Sequence, residues 1–186
     1  MEKWKILSSQ YLYKTQFGNL REDKCLLPNE KIIEKYHVCE FCDWVNIIAI
    51  TEDNKIVLVN QYRHGGNDFF YEIPAGGINQ NELPIDAAIR ELREETGYIS
   101  LEKPVELGRF YANPSNSNNC IYTFLLQNVY KCYEQNTDET EEIEILIHDF
   151  KNIEQLIYNN EIKQLFSAFA ILLAKRYLDM EDKSKK

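Results

Sequence analysis

What this chain has little of narrows its class before any motif is read. Basic residues are scarce: 21 Lys and Arg stand against 30 Asp and Glu in 186 residues, a formal net charge of -9. Such a chain offers no general basic face, so nucleic acid is excluded as an expected partner, because phosphate backbones are gripped by Lys and Arg. A small anionic substrate stays open, since a divalent cation can reverse the local sign. Long apolar runs are also missing. The uncharged stretch from Gln164 to Ala174 is too short to span a bilayer, and Met1-Glu2-Lys3-Trp4-Lys5 leads into no apolar signal core. The five cysteines (Cys25, Cys39, Cys42, Cys120, Cys132) are an odd number. A chain that buries roughly 70% of its unfolded surface needs no disulfide staples. Cys39-Glu40-Phe41-Cys42 forms a C-x-x-C, but it lacks a second ligand pair at zinc spacing and the following helix of a redox pair. Reduced thiols, a cytoplasmic location and no membrane partner are therefore expected.

Against these absences stand β-rich runs and a few well-bounded helices. The first forty residues alternate loosely around turn signals at Phe17-Gly18-Asn19 and Pro28-Asn29, predicting a small antiparallel sheet. Trp44 to Thr51 and Lys55 to Tyr62 flank Glu52-Asp53-Asn54 as a hairpin, and Phe69 to Ile73 is a short strand ended by Pro74. Pro84 to Thr96 has helical periodicity, with Pro in the first turn, Asp86 at the positive end and Gly97 as the stop. Strands over Val105–Tyr111, Ile121–Val129 and Glu144–His148 follow, the first two bracketing a polar loop. Helices over 152–159 and 161–177 come next, the stripe Leu165, Phe169, Leu172 and Leu173 being expected core. A charged, frayed tail closes the chain. The expected division is an N-terminal β extension over 1–42, a main domain over 43–178 and the tail over 179–186. Sheet mixed with helices without regular βαβ alternation predicts α+β, or an α/β/α sandwich.

The helix over 84–96 carries the chemistry. Ile85, Ala88, Ile89 and Leu92 form one stripe at about 100° per residue. Glu91, Glu94 and Glu95 share an adjacent face at i, i+3 and i+4. Like charges so placed repel, and late glutamates also oppose the helix dipole. A helix meant only for solvent would interleave lysine. The cluster makes sense against a hard divalent cation, because Mg²⁺ takes oxygen ligands and tolerates several carboxylates. An ordinary acidic surface helix is the alternative.

The wider pattern is more specific. Gly76-Gly77, Glu82 and Arg90-Glu91-Leu92-Arg93-Glu94-Glu95-Thr96-Gly97-Tyr98 resemble the Nudix box, with every fixed position filled and an aromatic, Tyr98, at the terminal apolar place. The resemblance implies a mixed sheet sandwiched by helices, and hydrolysis of a nucleoside diphosphate linked to another moiety. It implies two or more Mg²⁺ ions, with Mn²⁺ as substitute, held by Glu91, Glu94, Glu95 and the Ala75 carbonyl. Arg90 and Glu82 are expected to pair and hold the loop against the helix. Flanking runs, Val57 to Arg63 and Tyr71 to Gly77, resemble those of ADP-ribose pyrophosphatases. That likeness implies phosphate contact by Arg63, with Glu72 and Gly77 beside it; a salt bridge of Arg63 to Asp68 or Glu72 is the plainer alternative. Phe110 to Ser115 is similar to the post-box loop of that branch, implying that Asn113, Ser115 and Asn119 face the ribose phosphate. The run Thr137 to Glu144 resembles its acidic loop, implying Glu139 as general base, with Glu95 beside it in catalysis, and Glu141 as a distal metal ligand. Exchange of roles among Glu139, Glu141 and Glu142 stays open. The branch also implies a homodimer swapped through the N-terminal sheet, with Trp4, Tyr11, Phe17, Arg21 and Tyr36 as candidates to stack on the base. The implied reaction is ADP-ribose to AMP and ribose 5-phosphate. GDP-mannose or another nucleoside diphosphate sugar is the first rival substrate, and a non-catalytic ADP-ribose sensor is the rival of another class.

Overall fold

A computed structural model describes residues 1–138 and 140–184. They form two compact units, Met1–Asp43 with Phe110–Ile121, and Trp44–Arg109 with Tyr122–Lys186. The first holds an antiparallel sheet of β1 (Lys5–Thr15), β2 (Gly18–Leu26) and β3 (Ile32–Glu40), in that order. Its turns fall at the two predicted signals. Its middle strand buries the charged Glu22 and Asp23 beside Cys25. Arg21 clamps Asp23 through Nε to Oδ1 at 2.9 Å and Nη2 to Oδ2 at 3.0 Å, and also reaches Glu40.

The second unit is built on a mixed sheet. Its strands are β4 (Trp44–Thr51), β5 (Lys55–Arg63), β6 (Asp68–Glu72), β7 (Ala75–Gly77), β8 (Tyr98–Ile99), β9 (Val105–Tyr111), β10 (Cys120–Lys131) and β11 (Ile143–Asp149). The path runs β11-β5-β4-β10-β8, with β6 on β5, β7 on β4 and β9 on β10. Val45 to Ile50 and Ile56 to Val59 are buried without alternation, as strands covered on both faces require. On one face Val45, Ile47 and Val57 pack with Ala87, Ala88 and Leu92 of α1 (Pro84–Thr96). On the other, Ile48, Leu58 and Ile73 pack with Ile153 of α2 (Ile153–Tyr158) and Ile171 of α3 (Leu165–Ser184). The whole is an α/β sandwich with an N-terminal antiparallel extension, as the sequence predicts. Among the described residues no helix is long and apolar enough to cross a membrane.

Helix α1 keeps its predicted bounds because both ends are specified locally. Pro84 opens it, and Gly97 closes it at φ 71°, its N–H donating to the Arg93 carbonyl at 2.8 Å. The Glu94 and Gly97 carbonyls are met by a distant segment. Asn136 N–H donates to the Glu94 oxygen at 2.9 Å, and Cys132 and Tyr133 donate to the Gly97 oxygen at 3.0 and 3.1 Å.

Four expectations change. Helix α3 begins at Leu165, not Glu161, because Asn160 takes φ 61° and the chain turns there before Ile162 is buried. It then continues to Ser184, through residues expected to fray. The expected core stripe of that helix lies largely in solvent: Leu165, Phe169 and Leu172 are 71%, 42% and 39% exposed. Ser167, Ala170, Ile171 and Ala174 face the sheet instead, small side chains that let the helix lie close. In α1, Ile89 is likewise exposed and Ala87 takes its place.

Gly97 is the position most exposed to a steric test. A Cβ there would lie 2.0 Å from the Tyr133 carbonyl oxygen and would sit on a left-handed backbone. Gly97→Ala is expected to destabilise the fold by about 1–3 kcal/mol, the usual scale of stored backbone strain, read as a lower urea midpoint with unchanged slope.

Candidate active site

The acidic face of α1 opens on a cleft of about 430 Å³, lined by Gly76, Gly77, Asn79, Arg90, Glu91, Glu94, Glu95, Asn136, Asp138 and Glu141. Arg90 organises the near side. Its Nε and Nη2 grip both oxygens of Glu82 at 2.7 and 3.0 Å, and Nη2 also donates to the Gly77 carbonyl at 3.0 Å. Its Nη1 donates to Glu91 at 2.8 Å and Glu94 at 3.0 Å. The predicted Arg90–Glu82 pair is therefore present, and the same guanidinium also offsets the repulsion within the box. These hydrogen bonds outweigh burial and hold the Arg90 pKa above its ordinary value, so it stays charged.

The glycine loop is shaped around one carboxylate. A Cβ at Gly76 would lie 2.1 Å from Cδ of Glu91, so only a residue without a side chain lets that carboxylate rest on the loop. Strand β7 fixes the loop by pairing Val45 with Gly76 and Asn46 with Ala75.

Glu95 is the most unusual group in the cleft. It is 4% exposed, and its Oε2 accepts from the Ala75 N–H at 3.1 Å. Burial pushes its pKa well above the carboxylate range, the Glu91 charge adds to this, and the Ala75 hydrogen bond opposes it. Burial also raises Glu91, against the pull of Arg90. The Glu141 charge acts on Glu91, Glu95 and Arg63 together, which places this acidic-loop residue over the same cleft.

Arg63 is held by the buried Glu72, through Nε at 3.1 Å and Nη2 at 2.7 Å. Burial draws its pKa down, but Glu72, Glu95 and Glu141 more than reverse that. The salt bridge considered for Arg63 is thus made with Glu72, while Asp68 pairs with Lys163. Arg63 does not line the cleft itself, but it feels the charges of Glu95 and Glu141, which do.

A divalent cation suits this donor set. The side chains are hard carboxylate oxygens, Gly76 cradles one of them, and buried Glu95 is met by the Ala75 N–H and, more weakly, by the charge of Arg63, which together do not offset its burial. Among the described residues no three acidic, histidine or cysteine side chains already stand as a metal cage. The site is a donor-lined cleft in which Arg90 occupies oxygens of Glu91 and Glu94.

The structure brings Glu91, Glu94, Glu95, Glu141 and Gly77 to this cleft, with Ala75, Arg63 and Glu72 coupled to it. Glu139 lies outside the described residues. Asn113, Ser115 and Asn119 belong to the first unit, where Ser115 donates to Asn113 Oδ1 at 2.6 Å. Asn119 is buried there with an unpartnered Oδ1 among the described residues. Of the aromatic candidates in that unit, Trp4 and Tyr36 form an edge-on pair at 5.6 Å and Phe17 is exposed, whereas Arg21 is committed to Asp23 and Glu40. Tyr11 is exposed beside Lys14, whose ammonium lies 3.9 Å from its ring centre. Sequence reading missed Asn79, Asn136 and Asp138 as lining residues. Asp138 alone carried a signal, its place in the acidic run.

The NUDIX domain family matches residues 42–169, and the family described as nucleoside diphosphate sugar hydrolase N-terminal domain matches residues 4–38. The chain is 27% identical over 179 residues to an ADP-ribose pyrophosphatase of Bacillus subtilis (strain 168), covering 96% of this chain and 94% of that one. It is 30% identical over 184 residues to a methanol dehydrogenase activator of Bacillus methanolicus, covering 97% and 95%. Its fold matches a crystal structure of an ADP compounds hydrolase at TM-score 0.86 and 19% identity, over 97% of each chain.

Two substitutions test the geometry. Gly76→Ala must displace the Glu91 carboxylate, a flexible group, so about a tenfold or greater loss of kcat is expected at a nearly unchanged Tm, the scale of misplacing a catalytic group by about 1 Å. Glu95→Gln removes a buried group whose folded pKa is raised. A carboxylate raised in this way costs stability as pH climbs above its unfolded value near 4.3. In metal-free buffer the Gln variant is therefore expected to melt a few degrees higher at pH 8, with the gain vanishing near pH 4; at this chain size about 1 kcal/mol moves Tm by roughly 2–4 °C. A gain that grew on acidification would contradict the assignment.

Proposed function

Because the chain belongs to the Nudix family and is a pyrophosphohydrolase of nucleoside diphosphate-linked substrates, we propose that its substrate is ADP-ribose, cut by water to AMP and ribose 5-phosphate. The observation that carries the hydrolytic part is the convergence of Glu91, Glu94, Glu95 and Glu141 on one cleft beside Arg63. Support for ADP-ribose is the likeness over nearly the full length of both chains to the Bacillus subtilis ADP-ribose pyrophosphatase, together with the match of residues 4–38.

In this reading Glu91, Glu94, Glu95, Glu141 and the Ala75 carbonyl hold Mg²⁺, with Mn²⁺ as substitute and two or more ions per site. Bound ions supply charge neutralisation of the diphosphate and acidify water. The chain's own groups do the rest. The Ala75 N–H fixes the Glu95 carboxylate, and Gly76 seats that of Glu91. Arg63, held edge-on by Glu72, offers a fixed cation to a phosphate oxygen, and Arg90 keeps the Gly77 carbonyl and the loop in place. Glu139 takes the proton of the attacking water as the P–O bond to the leaving phosphate breaks. Asn113, Ser115 and Asn119 contact the ribose phosphate. A homodimer forms through the N-terminal sheet, whose first strand leaves Ile6, Leu7, Leu12 and Tyr13 exposed.

The test is a product assay with ADP-ribose, GDP-mannose and ADP-glucose, with and without Mg²⁺. AMP and ribose 5-phosphate are expected from the first, at a kcat/KM well above the others. A preference for GDP-mannose would overturn the substrate, and a monomer at working concentration would overturn the dimer. Glu139→Gln is expected to lower kcat by about 10²–10⁴-fold, the range for loss of general base catalysis. Near-full activity would move the role to Glu141 or Glu142.

A further inference from the structure

Asp138 and Glu141 put acid opposite acid. Asp138 and Glu141 line the cleft that already holds Glu91, Glu94 and Glu95, and the Glu141 charge raises the pKa of both Glu91 and Glu95. Repulsion among these carboxylates favours swinging Asp138 and Glu141 outward, so contacts elsewhere in the chain must hold them in. The residue placed to do so is Gln135, which follows β10 by four positions and belongs to no helix or strand. Its side-chain Nε2 donates to two carbonyls, Glu95 O in the last turn of α1 at 2.7 Å and Ile143 O at the first residue of β11 at 3.1 Å. An amide nitrogen carries two N–H groups, so both are used. Two carbonyl acceptors also fix which end of the amide faces them. Next in sequence, Asn136 N–H donates to Glu94 O at 2.9 Å. The acidic segment therefore leaves from the catalytic turn and returns beside it, with Gln135 tying the two ends.

We propose that Gln135 is a positioning residue for the hydrolytic reaction, clasping the last turn of α1 to the start of β11 so that Asp138 and Glu141 face the box glutamates. This rests on the cleft being the hydrolytic site. A lysine could supply donors, but it would bring a competing cation to a cleft built of carboxylates. A glutamate would present oxygen to oxygen, and asparagine is one methylene shorter. The clasp acts through Glu141, so its effect depends on that carboxylate.

The experiment uses the full chain with Gln135→Met, which keeps the length and removes both donors, and Gln135→Ala. Steady-state kinetics with ADP-ribose and Mg²⁺ are read beside amide hydrogen exchange, in wild type and in a Glu141→Gln background. The expected result is a fall in kcat of about tenfold or more with KM within about threefold, the pattern of an interaction needed for chemistry rather than binding. Exchange at Asn136 and Glu141 should quicken while the β4–β5 core keeps its protection. In the Glu141→Gln background the same substitution should cost about threefold or less, because residues acting through one another are not additive. Unchanged exchange, kcat within twofold of wild type, an equal loss in both backgrounds, or failure of both variants to fold would each overturn the proposal. If wild type turned over none of the nucleoside diphosphate sugars, the functional reading would fall, and the exchange result would still decide the clasp.

Discussion

Crowding carboxylates onto one helical turn is the constraint around which the second unit is arranged. Glu91, Glu94 and Glu95 repel one another and stand at the negative end of α1. Two devices make the turn tenable. Arg90 spreads one guanidinium over Glu82, Glu91 and Glu94, which ties the glycine loop to the helix in the same act. The Glu94, Glu95 and Gly97 carbonyls, which would add to the negative field, are covered by N–H donors from residues 132–136. Glu95 is left with the Ala75 N–H and the weaker pull of Arg63, which do not offset its burial, and that shortfall marks the place where a cation fits.

The N-terminal sheet shows what a settled buried acid looks like in the same chain. Asp23 is as buried as Glu95, yet Arg21 beside it holds its carboxyl below the ordinary range. Glu95 moves the other way, because burial acts on it more strongly than its single backbone donor. Buried ion pairs of the first kind close a network and ask for nothing further. A buried acid of the second kind is characteristic of working sites.

Much of this was legible because the signals were local. The bounds of α1 follow from Pro84 and Gly97, and β9 follows from its β-rich run between turns. The Nudix box named the acidic face and the Arg90–Glu82 pair. Strands β7 and β8 left no such trace: Ala75-Gly76-Gly77 has no strand propensity and is extended because β4 offers it a partner. The apolar stripe of α3 misled because Leu and Phe recur at helical spacing on its outer side, while alanines make the packed face. Gln135 was invisible in sequence, since its role depends on two carbonyls that only the tertiary fold brings within reach of one amide.

The lacing of the α1 terminus also makes a locally specified helix depend on contacts far along the chain. Gln135 reaches Glu95 across 40 positions of chain, and Gly97 waits for Cys132 and Tyr133. The box helix is thus bounded by local signals, while its acidic face is completed by residues that follow β10, so a change in that later stretch reaches the carboxylates without touching α1 itself.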